Sequence, residues 1–115
     1  KKHTIGEKMA EIIKFDLQSL KKAINNEKYV IVYFYSDWAA PCRAMKDVMQ
    51  GVSEMFDGYV VFGMLDAEQF KELFVIFDIK SVPTVCFFEN GKVVDRVEGY
   101  IPLTQLGNRI GKRIE

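Results

Sequence analysis

The sequence predicts an α/β fold: a mixed β-sheet, half parallel and half antiparallel, with helices on both faces. Three observations lead there. Tyr29–Tyr35 and Tyr59–Leu65 are unbroken runs of β-forming residues separated by one helix-length amphipathic stretch. That strand–helix–strand order implies a parallel pair with a right-handed crossover. Thr84–Phe88 and Val93–Val97 flank Glu89-Asn90-Gly91-Lys92, and Asn-Gly between two strand-like runs is the strongest short hairpin signal. Helical stripes of apolar residues recur between and after these runs, which supplies the covering layers.

Taken in order, Lys1–Lys8 is polar and reads as a ragged end or a helical lead-in, so residues 1–10 are expected to be an N-terminal extension to one domain spanning 1–115. Glu11–Phe15 predicts a short strand. Asp16 offers a helix N-cap, with Leu17, Leu20 and Ile24 at helical spacing and Asn25-Asn26 as the stop. Tyr29–Tyr35 reads as a central strand covered on both faces. A helix is predicted from Pro41 to about Phe56, with Met45, Val48, Met49, Val52 and Phe56 on one side. Pro41 suits a first turn, where a missing N–H has no partner to lose. Phe70, Leu73, Phe74 and Phe77 predict a third helix. Gly99 ends the hairpin, and Leu103, Leu106, Ile110 and Ile114 predict a last helix. The predicted order is β-α-β-α-β-α-β-β-α.

The bulk composition narrows function. A chain of 115 residues with 49% hydrophobic and 13% aromatic residues fits one packed domain. Sixteen Lys and Arg balance sixteen Asp and Glu, so no basic field exists to hold nucleic acid or an anionic membrane. No apolar run approaches a membrane span. Two cysteines, Cys42 and Cys86, do not make a disulfide-stapled scaffold, and a reducing, cytoplasmic setting is expected. The chain begins at Lys1 rather than Met, so the lack of a leader pattern carries little weight.

Four segments carry chemistry: Trp38-Ala39-Ala40-Pro41-Cys42-Arg43, Ser81-Val82-Pro83-Thr84, Phe88-Glu89-Asn90-Gly91-Lys92 and Val97-Glu98-Gly99-Tyr100. In this order and spacing, the chain resembles the thioredoxin family from about residue 11 onward. The first segment stands against the family's Trp-Cys-Gly-Pro-Cys-Lys and the second against its cis-proline segment. The resemblance implies the thioredoxin fold and thiol–disulfide exchange on disulfide-bearing protein substrates, with a thioredoxin reductase as electron donor. It implies no cofactor, and monomer is the default state.

The resemblance places the family's attacking sulfur at residue 39. In the family that thiolate sits at a helix N-terminus, where the dipole and free N–H groups favour it. It forms a mixed disulfide that a second cysteine resolves. Ala39 carries no nucleophile, while Cys42 stands at the resolving position. Cys-Ala-Pro-Cys would be an ordinary motif of this kind, and Cys→Ala removes one sulfur and little else. The segment therefore reads as a working site that has lost its attacking atom. The resemblance further implies a cis Val82–Pro83 bond facing the motif, which would expose the Val82 backbone to an extended substrate. Trp38, Ala40, Pro41, Val82, Pro83, Gly99 and Tyr100 would line the motif and a shallow apolar groove.

Each of these residues also has a structural reading. Cys42 is otherwise a small buried apolar residue, Trp38 a core aromatic, and Pro83 a trans proline opening a strand. Cys86, three residues after Pro83, reads as a packed strand residue too remote to pair with Cys42. His3 reads as a solvated terminal residue. No metal cluster is expected, and Met45, Met49 and Met55 read as helix packing. Tyr33 stands where the family usually carries a buried acid, and a buried phenol is a poor base at neutral pH. Tyr100 occupies a position that is often small in the family. Two alternatives to an inactivated oxidoreductase stay open: a redox-degenerate module that binds peptide or protein partners through the groove, and a sensor that forms adducts on Cys42.

Overall fold

A computed structural model describes residues 11–115. The readings of Lys1–Lys8, of a 1–10 extension and of His3 fall outside the described residues. The elements are β1 (Ile13–Lys14), α1 (Leu17–Asn26), β2 (Tyr29–Tyr35), α2 (Ala40–Met55), β3 (Val61–Asp66), α3 (Lys71–Ile76), β4 (Thr84–Glu89), β5 (Lys92–Glu98) and α4 (Leu103–Arg113). One five-stranded sheet runs β1-β3-β2-β4-β5. β3 pairs in parallel with β1 and β2, and β4 pairs antiparallel with β2 and β5. The order of elements and the mixed sheet are those the sequence predicts.

β2 lies at the centre, and its alternation divides the interior. Ile31, Tyr33 and Tyr35 point to the face covered by α2 and α4, where Cys42, Met45, Met49, Leu106 and Ile110 complete one core. Val30, Val32 and Phe34 point to the other face, where Leu20, Leu73, Cys86 and Phe88 complete a second. Burying a side chain such as Phe34 stabilises the fold by about 1.5–3 kcal/mol.

Local chemistry explains most boundaries. The Asp16 carboxylate accepts from Ser19 N–H at 2.8 Å and Ser19 Oγ accepts from Asp16 N–H at 2.9 Å, a reciprocal cap on α1. Asn90 (φ 53°) and Gly91 (φ 83°) both occupy the left-handed region that a two-residue hairpin turn requires. Two readings need correction. β1 is two residues long rather than five. β3 begins at Val61 rather than Tyr59, because the chain is still turning: Gly58 has φ 87°, and Tyr59 and Val60 N–H donate back to Phe56 O. Tyr59 is consequently exposed. Met55, though exposed, packs from the end of α2 over Gly107 of α4.

Candidate active site

The motif sits where β2 leaves the sheet and α2 begins. Ala39 is the N-cap of α2, in extended conformation (φ −84°, ψ 123°), and makes no side-chain cap. Its carbonyl accepts from Cys42 N–H at 3.0 Å and from Arg43 N–H at 3.3 Å. The positive end of the helix dipole is thus directed at residue 39, where a side-chain anion would be stabilised. A methyl group stands there instead. Pro41 lies in the first turn of the helix, as its missing donor demands.

Cys42 is buried in the first turn of α2, and its Sγ accepts from Ser36 N–H at 3.4 Å. The Tyr33 hydroxyl donates to the Cys42 carbonyl at 2.8 Å. Tyr33 also stacks on Tyr35, with ring centroids 5.3 Å apart and planes 17° from parallel. Burial pushes the Tyr33 phenol well above its ordinary range, reinforced by the adjacent Cys42. Tyr33 is therefore a fixed donor that ties the first turn of α2 to the central strand and takes no proton at neutral pH.

The outer face differs from a core-packed reading. Trp38 is 70% exposed, and its indole N–H donates to the Glu68 carboxylate at 2.9 Å. Arg43 reaches back to the carbonyls of Asp37 and Trp38 at 3.4 and 3.2 Å, bracing the loop before α2. Ala40 and Pro41 are exposed and Ala39 is half-buried. The Val82–Pro83 peptide bond is cis. Phe34 pairs with Thr84 where β2 ends and β4 begins, so the two segments converge on the face at that end of the sheet, with Val82 and Ala39 packed against the same core. The Gly99 N–H donates to Pro83 O at 2.8 Å with Gly99 at φ 86°, which brings the turn before Tyr100 to that face. Tyr100 is exposed.

Cys86 stands apart. It is buried in the other core, and burial pushes its thiol up to about 11. Both cysteines are free, and the sheet lies between them. No group of three or more His, Cys, Asp or Glu that could hold a metal occurs among the described residues.

Sequence reasoning missed Glu68, Ser36 and Tyr35. Glu68 lies thirty residues from Trp38 and nothing local marks the pairing. Ser36 is wholly buried, and its Oγ has no hydrogen-bond partner. It lines a cavity of about 360 Å³ together with Cys42, Tyr33 and Tyr35. A larger hollow of about 430 Å³, near Glu11 and Tyr59, contains no thiol.

Comparison with known proteins agrees with the architecture. The thioredoxin family model matches residues 11–112. The chain is 34% identical over 91 residues to thioredoxin Y2, chloroplastic, of Arabidopsis thaliana, covering 79% of this chain and 54% of that protein. It is 32% identical over 87 residues to a thioredoxin of Mycoplasmoides gallisepticum, covering 76% of this chain and 86% of the relative. The chain thus spans about half the length of the chloroplast relative. Among solved structures, the thioredoxin of Malassezia sympodialis superposes with TM-score 0.85 at 22% identity, covering 98% of each chain. Fold, motif order and sequence similarity converge: the chain belongs to the thioredoxin family.

Proposed function

We propose that the site is that of a protein disulfide oxidoreductase whose attacking position is occupied by Ala39, so that the chain retains substrate docking but not turnover. The observation that carries this reading is the N-cap geometry of residue 39. Residue 39 stands at a helix N-terminus, three residues before a buried thiol, which supports reading it as the position of an attacking sulfur. The proposed partners are extended, disulfide-bearing protein segments laid along Val82, with a thioredoxin reductase as electron source and a monomer as the working unit. A reducing, cytoplasmic setting belongs to the same proposal, supported by two free thiols on opposite faces of the sheet.

The test is Ala39→Cys. With a dithiol reductant, the variant is expected to reduce insulin disulfides, while the parent chain stays at the uncatalysed rate. A folded but inert variant would sink the oxidoreductase reading. A second reading, a partner-binding module without redox turnover, would then stand. It is favoured by Tyr33, which donates to the Cys42 backbone where proton transfer would need an acceptor.

A further inference from the structure

Cys42, though 3% exposed, also borders a cavity behind the motif. The cavity of about 360 Å³ lies between β2, the start of α2 and the β1–β3 edge, and Cys42 and Ser36 both line it. A second hollow of about 300 Å³ shares Tyr33, Lys46 and Met64 with it. Volumes of this order are those of small-molecule sites.

Two features point to a polar, anionic occupant. The Ser36 hydroxyl is 0% exposed and has no partner, a costly state that a ligand acceptor would relieve. The rim carries the cations Lys14, Arg43 and Lys46 against the single carboxylate of Asp37, a net of two positive charges. Neither Lys14 nor Lys46 has an ion-pair partner among the described residues.

We propose that this cavity binds a small anionic disulfide and that Cys42 takes one half of it as a mixed disulfide. The Cys42 thiolate attacks one ligand sulfur. A bond from Sγ to that sulfur forms, the ligand S–S bond breaks, and the other half departs as a thiolate that takes up the proton Cys42 released. Cys42 is oxidised to the mixed disulfide, and one half-molecule is reduced to thiol. With no sulfur at residue 39 to resolve it, the adduct persists until an external thiol removes it. The chain becomes a reversible recorder of low-molecular-weight disulfide. This does not depend on the oxidoreductase reading, since it uses Ala39 as it stands.

The test exposes the folded chain to glutathione disulfide (anionic), hydroxyethyl disulfide (neutral) or cystamine (cationic), with adducts mapped by mass spectrometry. Cys42 is expected to react in the order anionic, neutral, cationic, with roughly tenfold or more between the extremes at low salt. That order should flatten in denaturant and in Lys14→Gln/Lys46→Gln. Ser36→Ala should slow the glutathione reaction. Cys86, in the opposite core, should stay unmodified until the chain unfolds. Absence of a Cys42 adduct in the folded protein would overturn the proposal, as would rates blind to ligand charge. Both of these readouts use the parent chain, so they hold even where a variant fails to fold.

Discussion

Gly63 offers a sharp test of how the sheet edge is packed. It lies inside β3, paired with Ile13 and Val32, where glycine is otherwise a poor strand residue. A Cβ added there would lie 2.5 Å from Phe15 Cζ and nearer still to Cδ2 and Cε2. Carbon atoms prefer about 3.5–4.0 Å, so the ring must retreat by more than about 1 Å. It has little freedom to do so: Phe15 is 3% exposed, and its N–H is held by Met64 O at 3.0 Å. Overpacking of this kind costs about 1–3 kcal/mol. Full ejection of the ring costs about 3–5 kcal/mol. Alanine's lower unfolded-state entropy returns about 0.4–1 kcal/mol. Gly63→Ala is therefore expected to lose about 2 kcal/mol. For 115 residues at about 2.1 cal/mol/K each, this corresponds to a fall in Tm of about 8 °C. Urea denaturation of Gly63→Ala, Phe15→Ala and the double variant closes the cycle. In the Phe15→Ala background, Gly63→Ala should cost less than about 0.5 kcal/mol, because nothing remains to clash with. An equal cost in both backgrounds, or a negligible cost in the parent, would refute the reasoning.

Two further predictions concern groups with shifted titration. Tyr33→Phe removes the donor to the Cys42 carbonyl and should cost about 0.5–1.5 kcal/mol. In the native parent, phenolate absorbance should show Tyr33 silent through the ordinary tyrosine range, because its folded pKa lies above the unfolded one. That contribution is present below about pH 10 and is lost as alkali exposes the phenol. A full native tyrosine titration near pH 10 would contradict it. Arg109 grips Asp95 through two hydrogen bonds, at 2.6 and 3.1 Å, and holds its carboxyl below the usual range. This stability is present above the unfolded carboxylate pKa of about 3.9 and is lost as pH falls through the lower folded value. Asp95→Asn should cost about 0.2–1 kcal/mol at neutral pH, and less as acid is added. An unchanged acid limb in the stability profile would count against the pair.

What the sequence made legible follows from range. Periodicity and caps act within a few residues, so Asp16, Pro41 and Asn90-Gly91 announced their elements correctly. The unbroken run Tyr29–Tyr35 announced the centre of the sheet. β3 was misplaced at its start because Tyr59 looks like a strand residue, while Gly58 keeps the chain turning under it. The motif face was legible through ordered segments. Its long-range details were not: the Trp38–Glu68 bond and the unpartnered Ser36 hydroxyl depend on tertiary placement that no local pattern encodes. Phe15 and Gly63 belong to the same class, since a glycine in a strand says that something comes close but not what.

The tether from Tyr33 to the first turn of α2 gives the protein a pair of built-in optical reporters on opposite sides of one sulfur. Trp38, the sole tryptophan, stands in solvent on the outer side, so its emission follows whatever covers the motif. The Tyr33–Tyr35 stack lies inside, coupled to the Cys42 backbone, and its near-ultraviolet dichroism follows any lifting of the helix from the sheet. A visitor on the front surface should change the first signal alone. One entering from the rear should change the second, so the direction of arrival can be read without attaching a label.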